Sequence, residues 1–595
     1  MNNPAQIVVP RVQAAIAQAF GEDFRSTDPV IRPSQFADIQ INAAMALAKK
    51  VGLPPRDTAA KIVETLELDG ICTAVEISGP GFINLTFDGT WIEELLNAEP
   101  TVAGSAAASA SAAAGGAPEA TAQRVVVDYS SPNVAKEMHV GHLRTTVVGD
   151  SLVRVLEALG HTVIRQNHIG DWGTPFGMLI EHWLEVGEDS PEAELLVDDP
   201  TAFYRAARAK FDASDGVDAG FANRARLRVV SLQSADEETL AVWRRLVAQS
   251  KRYFNAIYAE LGVTLTDADI AGESSYDLVL AQLCQELEDR GIARVSEGAL
   301  CTFPAGFTGR DDQPLPLIIR KSDGGYGYGT TDLATIRYRV QDLQADRILY
   351  VVGAPQNVHL RMVMATARDA GWLPDTVDAT HVQIGNVLGE DGRILKSRSG
   401  SPVRLMALLE EAVDRARLVI EAGRPELTDE ERALTAWQVG IGAVKYADLS
   451  VGHDTEYVFD FDRMLALSGN TGPYVQYAAA RIRSILRKSG AVTGPEGESS
   501  AAAAIAVVEP AERALALHLL EYHATLQKVG ELLEPHRLCA YLFELAQLFT
   551  AFYDQCPVLQ AEDSVRESRL ALCVLILHRL SGGLALLGIE TPENM

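Results

Sequence analysis

Apolar residues recur at Val140, Leu143, Val147, Leu152, Val155, Leu156 and Leu159, the spacing of one helix face. Just upstream, Arg124 to Tyr129 reads RVVVDY, a β-branched run that suits a buried strand. Residues 1–100 alternate helical patterns (Ala5 to Phe20, Phe36 to Val51, Asp57 to Leu66) with short alternating segments such as GFINLTF, Gly81 to Phe87, which predicts a small α/β domain. From residue 123 to about 405, the runs HTVIRQN, LPLIIRK and DRILYVVG alternate with helical stretches, the pattern of a parallel sheet with crossover helices and hence of a Rossmann-like core. A mainly helical piece over about 185–312, with Arg224 to Leu261 as one long patterned run, reads as an insertion into that core. Residues 406–595 are almost entirely helical, and Leu515 to Leu533, Arg537 to Tyr553 and Ser568 to Leu587 have the amphipathic pattern of a bundle. The fold class expected is therefore multidomain α/β plus α.

Composition adds boundaries to this outline. At 595 residues the chain is too long for one core and should hold about three or four domains. Residues 101–122 are almost all Ala, Ser and Gly, too small and polar to offset their ordering entropy, and read as a flexible tether. A second biased stretch, Gly490 to Ala506, is expected to loop out between C-terminal helices. No uninterrupted apolar run approaches the roughly eighteen residues of a membrane span, and no basic segment followed by a long apolar one opens the chain, so a cytoplasmic protein is expected. Six cysteines without CxxC pairs fit reduced thiols and no structural metal. The formal charge of −28 resists a nucleic-acid partner. Local basic clusters at Arg205, Arg208, Lys210, Arg224, Arg226 and Arg228, and at Arg481, Arg483, Arg487 and Lys488, read equally as RNA-facing patches or solvated helix faces.

The chemistry concentrates in SPNVAKEMHVGH, Ser131 to His142. His139 and His142 fall at the first turn of the patterned helix, where unpaired backbone N–H groups and the positive dipole end favour an anion such as a triphosphate. Gly141 between them permits close approach of a nucleotide to the backbone. A helix-capping role is the plainer alternative for either histidine. Later, GGYGYGTTD superficially suggests a kinase glycine loop, but its glycines alternate rather than following GxGxxG, and no VAIK, HRD or DFG set accompanies it.

HVGH in this setting resembles the HIGH motif of class I aminoacyl-tRNA synthetases, and the longer PNVAKEMHVGH resembles its form in the arginyl-tRNA synthetases of bacterial type. Six further blocks follow in that family's order: NHIGDWGTPFG (Asn167 to Gly177), AGES (Ala271 to Ser274), YGYGTTDLA (Tyr326 to Ala334), GRILKSRSG (Gly392 to Gly400), AVKYADLS (Ala443 to Ser450) and NTGPYVQYAAARI (Asn470 to Ile482). The resemblance implies ATP-dependent activation of L-arginine to an arginyl-adenylate and transfer to tRNA(Arg), with Mg2+ assisting and arginine activation requiring bound tRNA. Pro132, His139, Gly141, His142 and Lys396 would then bind ATP. Lys396 and Arg398 would stand in the degenerate second phosphate loop, and Lys136 would replace the lysine that loop lacks. Glu273 and Asp332 would receive the guanidinium, a planar five-donor group suited to carboxylates, while Asn133, His168, Tyr328 and Gln356 would hold the rest of the amino acid. An ordinary first-turn aspartate is the structural alternative for Asp332. For tRNA, the resemblance points to Phe82 and Asn84 in the N-terminal domain, against the D-loop, and to Tyr474, Gln476, Tyr477 and Arg481 at the helical bundle, where the anticodon would bind. A monomer is expected. The competing readings are another class I synthetase and a non-catalytic tRNA-binding paralogue.

Overall fold

The structure, a computed structural model, describes residues 3–99, 122–134, 136–214, 220–309, 312–322, 324–396, 403–490 and 503–595. Most of the expected tether and most of Gly490 to Ala506 lie outside the described residues.

Helices α1 (Pro4–Phe20), α2 (Ala43–Val51), α3 (Pro55–Thr65) and α4 (Gly89–Asn97) pack with an antiparallel sheet of order β1-β2-β4-β3, made of Ile31–Pro33, Ile39–Ile41, Cys72–Ser78 (β3) and Phe82–Phe87 (β4). The helix expected from Phe36 starts only at Ala43, because Ile39, Gln40 and Ile41 pair with Leu85, Asn84 and Ile83 of β4. Phe36 itself is 82% exposed.

The central sheet is parallel, with order β11-β10-β5-β6. It contains β5 (Arg124–Tyr129) and β6 (Thr162–Gln166), joined through α5 (Val140–Ala158), and then β10 (Arg347–Gly353) and β11 (Asp378–Ile384), joined through α13 (Asn357–Asp369). Val125 and Val127 belong to one buried cluster and Val126 to another, so β5 is covered on both faces, as a parallel strand must be. The chain leaves β5 for β6 on one side and later returns to β10 on the other. The carboxyl ends of β5 and β10 therefore flank the crevice where open α/β sheets bind ligands.

Between the two halves come α6 (Thr174–Val186), α7 (Pro191–Asp198), α8 (Pro200–Ala213), α9 (Phe221–Gln233), α10 (Glu237–Leu261) and α11 (Asp277–Asp289). The single long run expected over Arg224 to Leu261 is two helices. Ala235 turns the chain at φ 59°, and Asp236 caps α10 by accepting from the Thr239 N–H. A second correction concerns LPLIIRK. Its strand, β9 (Leu317–Arg320), pairs antiparallel with β8 (Ala299–Thr302), beside β7 (Ala293–Ser296), outside the parallel sheet. Leu317 and Ile319 are buried while Ile318 is exposed, the one-sided alternation of an antiparallel strand. Helix α12 (Tyr328–Gln341) then leads back to β10.

Beyond the sheet, β12 (Val387–Leu388) pairs with β13 (Tyr457–Val458), tying the parallel-sheet region to the segment that follows α14 (Leu405–Gly423) and α15 (Asp429–Leu449). Helices α16 (Gly472–Lys488), α17 (Pro510–Leu519), α18 (Tyr522–Leu532), α19 (His536–Gln555) and α20 (Asp563–Leu586) complete a bundle. Helix α20 is long and apolar enough to cross a membrane, with mean hydropathy 1.5, but 67% of that window is buried within the protein. It serves as a core helix.

The first and last parts of the chain meet, which no local pattern announced. Arg513 of α17 donates to both carboxylate oxygens of Asp38, at 3.1 and 2.6 Å, and to the Phe87 carbonyl at 2.8 Å. Asn97 exchanges hydrogen bonds with the backbone of Ile505, and Arg579 pairs with Glu99.

Candidate active site

Directly after β5, Ser130 and Ser131 adopt left-handed backbone conformations at φ 69° and 47°, a costly arrangement for residues bearing a Cβ. Side chains hold it in place. Ser131 donates from its backbone N–H to Asn167 Oδ1 at 3.1 Å and from its hydroxyl to Asp128 at 2.9 Å. Tyr258, from α10, shares hydrogen bonds with the Ser130 hydroxyl and the Asn167 amide at 2.8 and 3.0 Å. The turn delivers Asn133 into a cavity of about 600 Å³ at the carboxyl ends of β5 and β10. Pro132 is buried beneath it and does not line the cavity; its carbonyl accepts from the Gly170 N–H.

Helix α5 opens on this cavity. His139 is its N-cap, with Nδ1 accepting from the Gly141 N–H at 3.0 Å, and His142 Nδ1 accepts from the His139 N–H at 3.1 Å. Val140 donates to the Val403 carbonyl, and the His142 N–H donates to the His139 carbonyl. The backbone donors expected to await an anion are thus already engaged, so capping and ligand binding are combined rather than alternative roles. A neutral imidazole that accepts at Nδ1 carries its proton on Nε2. Both rings favour neutrality: burial, and then Lys136, lowers the His139 pKa, while burial and the neighbouring His139 push His142 down to about 3. The helix start therefore offers imidazole Nε2–H donors. At Gly141 a Cβ would come within 2.8 Å of the His139 ring, so glycine is what lets the imidazole fold back onto the backbone.

Lys396 also lines the cavity. Arg398 lies outside the described residues. Lys136 does not line the cavity; its ammonium sits 4.3 Å from the centroid of the Tyr204 ring on α8.

Across the cavity stand Glu273, Tyr328, Asp332, His168 and Gln356. Asp171 anchors the AGES turn by accepting from the Ser274 N–H and hydroxyl at 2.9 and 2.7 Å. That turn places Glu273 in the wall, where it is buried. Burial first, and then the charges of Asp332 and Asp171, push its carboxyl up to about 8. Asp332 sits in the first turns of α12, its Oδ1 4.0 Å from His168 Nε2, and its Oδ2 accepts from His359 Nε2 at 2.5 Å. His168 is oriented by its Nδ1, which donates to the Ala271 carbonyl at 2.9 Å. Tyr328 is 65% exposed at the rim. The same cavity is lined by Asp128, whose carboxylate pairs with the fully buried Arg339 at 2.8 Å. Burial opposes that charge, but Arg339 and His168 hold the Asp128 carboxyl below its ordinary value.

Sequence reasoning missed His359, Tyr258, Asp171 as an anchor, and the Asp128–Arg339 pair. His359 alone left a trace, three residues after Gln356 at the start of the helix that follows β10.

Two of the residues expected to face RNA have their polar groups engaged within the chain. Asn84 is buried, its Oδ1 accepting from Ser34 and Gln40 and its Nδ2 donating to Ser78, so its amide is spent inside the N-terminal sheet. Gln476 is fully buried and donates to the Gln438 and Glu590 carbonyls. Phe82 starts β4, half-buried. Tyr474, Tyr477 and Arg481 lie on the other face of α16, with Tyr474 beside Phe543 and the Arg481 guanidinium 4.2 Å from the Tyr553 ring centroid. In the other basic cluster, Arg224 and Arg228 pair with Glu181, and Lys210 with Glu185, so those cations are largely offset.

Comparison with known proteins adds to this geometry. Residues 108–461 match the family model described as tRNA synthetases class I (R), catalytic domain. Residues 8–87 match the arginyl tRNA synthetase N terminal domain, and residues 475–595 the DALR anticodon binding domain. A relative from Thermobifida fusca (strain YX), "Arginine--tRNA ligase", is 62% identical over 604 residues and is covered in full by the chain, as the chain is by it. One of the same description from Edwardsiella ictaluri (strain 93-146) is 44% identical, again with both chains covered in full. Among solved structures, the arginyl-tRNA synthetase from Plasmodium falciparum superposes with a TM-score of 0.82 at 28% identity, with 99% of each chain covered.

Proposed function

Since the chain belongs to the arginyl-tRNA synthetase family, we propose that the cavity between β5 and β10 divides the family's reaction into a phosphate half and a guanidinium half. The enzyme is an aminoacyl-tRNA ligase: it activates L-arginine with ATP to arginyl-adenylate and passes the arginyl group to tRNA(Arg). Full-length identity to arginine ligases sets aside the readings as another class I synthetase or a non-catalytic paralogue.

In the phosphate half, the Nε2–H groups of His139 and His142 face the triphosphate at the positive end of α5, and Lys396 approaches from the opposite side. Attack by the arginine carboxylate on the α-phosphate builds negative charge, which preorganised donors stabilise without reorganising. Arg398 and Lys136 supply further cations to the phosphates, and the Tyr204 ring lies beside the Lys136 ammonium. The described residues present no group of three or more His, Cys, Asp or Glu arranged to hold a metal. Magnesium, bound to the triphosphate oxygens, would neutralise part of their charge.

In the guanidinium half, Glu273 and Asp332 receive the side chain, and Asn133, His168, Tyr328 and Gln356 hold the α-amino and carboxylate ends. One observation carries this reading: Glu273 and Asp332 are adjacent carboxyls in the wall of the cavity, and among the described residues neither pairs with an arginine or lysine. Glu273 is buried and Asp332, partly exposed, has only the His359 imidazole, so a guanidinium supplies the cation that the two carboxyls together call for. The N-terminal domain, residues 1–100, meets the D-loop through Phe82. The catalytic domain covers 123–405 with its insertion over about 185–312, and the bundle of 406–595 meets the anticodon through Tyr474, Tyr477 and Arg481. Cytoplasmic location and a monomeric state belong to the same proposal. The test is arginine-dependent ATP–pyrophosphate exchange with and without tRNA(Arg), using other amino acids as controls. Exchange confined to arginine supports the pocket; exchange with another amino acid overturns it.

A further inference from the structure

His359 stands on the first turn of α13, just past the carboxyl end of β10, and Asp332 near the start of α12; the two helix starts meet in the cavity wall. The contact is short, 2.5 Å from His359 Nε2 to Asp332 Oδ2. It occupies one carboxylate oxygen only. The other, Oδ1, is beyond hydrogen-bond distance of its nearest basic neighbour, His168 Nε2 at 4.0 Å. A guanidinium binds best to acceptors held in a fixed plane, and a carboxylate free to rotate about its last bond loses that advantage.

We propose that His359 is a positioning residue of the arginine pocket, holding Asp332 by one oxygen so that the other, together with Glu273, faces the incoming guanidinium. The inference rests on the arginine-pocket reading above. It carries a second consequence, because an imidazolium on Asp332 is a rival cation. The ionisable groups that line the cavity with His359 are Asp332 and Tyr328 from α12, Glu273 from the AGES turn, His168 from the loop after β6, Tyr350 from β10, Asp128 from β5, His139 and His142 at the start of α5, and Lys396. Burial disfavours the His359 charge, but the hydrogen bond and charge of Asp332 outweigh it and raise the pKa above the ordinary value. When arginine brings a second positive charge to Asp332, the imidazolium releases its proton to solvent and remains as a neutral Nε2–H donor.

The test is calorimetric titration of arginine into the whole enzyme at about pH 6, where a histidine of raised pKa is protonated, in buffers of different ionisation enthalpy that count protons released. His359→Gln keeps a donor without a titrating charge; it should bind arginine near the native affinity and release about one proton fewer. His359→Leu removes both and should bind arginine about tenfold more weakly, with ATP affinity unchanged. Native affinity and proton count in both variants overturn the inference, as does an equal loss of ATP affinity in His359→Leu, which marks a merely structural role. Asp332→Asn, titrated in parallel, separates the two levels: retained arginine binding there overturns the pocket reading itself.

Discussion

Two parts of one cavity's lining carry buried carboxyls, and the protein treats them in opposite ways. On the β5 side, Asp128 pairs with the buried Arg339 and is held ionised. In the same lining, Glu273 has no arginine or lysine partner among the described residues and is pushed up to about 8 by burial and by its acidic neighbours Asp332 and Asp171. The residue types are nearly the same, so composition does not distinguish them; the presence or absence of a cation from the chain does. A buried acid matched by the protein belongs to the architecture, whereas one left unmatched is completed by something that binds.

Replacing the acid beside Glu273 should cost the most activity. Asp332→Asn keeps the shape of the side chain but removes the charge that completes a guanidinium, and kcat/KM for arginine in pyrophosphate exchange should fall about 10³-fold or more. Retention of tRNA(Arg) on filters should be unchanged. Persistent exchange would mean that the two parts of the lining do not differ in function.

On the matched side the loss should appear in stability. Arg339→Met leaves Asp128 buried without its cation and should destabilise the fold by about 3–5 kcal/mol in denaturant unfolding. Adding Asp128→Asn should recover most of that. Failure of the double variant to recover would show that Arg339 acts through packing against the Tyr350 ring, 5.1 Å away, rather than through the pair.

Glu273 offers a sharper version of the contrast because its two linkages run in opposite directions. Its folded pKa, about 8, lies above the unfolded value, so the folded state binds more protons in between and stability declines as pH rises through that window. Arginine needs the ionised form, so its affinity climbs over the same range. Melting temperature without arginine should therefore fall toward pH 8 while the increment produced by arginine grows. Glu273→Gln should flatten its share of both trends and weaken arginine binding by about ten- to a hundredfold.

How much of this was legible beforehand depends on whether a residue acts along the chain or across it. HVGH declared itself because a strand, a turn and a helix start are consecutive, and Glu273, Tyr328 and Asp332 were carried by blocks in a recognisable order. Donor bookkeeping was not visible: only the structure shows that the histidine rings occupy the first-turn N–H groups and present Nε2–H instead. At Asn84 and Gln476 a short motif names a residue type without saying which way it faces; one position away, Tyr477 is 41% exposed while Gln476 is buried. The Asp128–Arg339 pair spans 211 positions and the Asp38–Arg513 pair 475, separations at which periodicity carries no information.

Asp171 tests whether the two categories have a middle term. It is buried and, among the described residues, forms no ion pair with an arginine or lysine, yet its oxygens are taken by the Ser274 N–H and hydroxyl, so hydrogen bonds replace a counter-charge. Burial still raises its pKa despite those bonds. Gly272 packs so closely that an added Cβ would lie 2.5 Å from Asp171 Oδ2, which leaves room only for an isosteric change. Asp171→Asn keeps one acceptor for the Ser274 N–H and should shift stability by no more than about 1 kcal/mol. Its effect should surface at Glu273. With one negative neighbour gone, the Glu273 carboxyl ionises more readily, and the midpoint of the rise in arginine affinity moves to lower pH, while the alkaline plateau weakens by only a few-fold, about 0.5–1 kcal/mol. A plateau loss as large as that of Asp332→Asn would place Asp171 among the groups that touch arginine, and an unmoved midpoint would show that Glu273 is governed by burial alone.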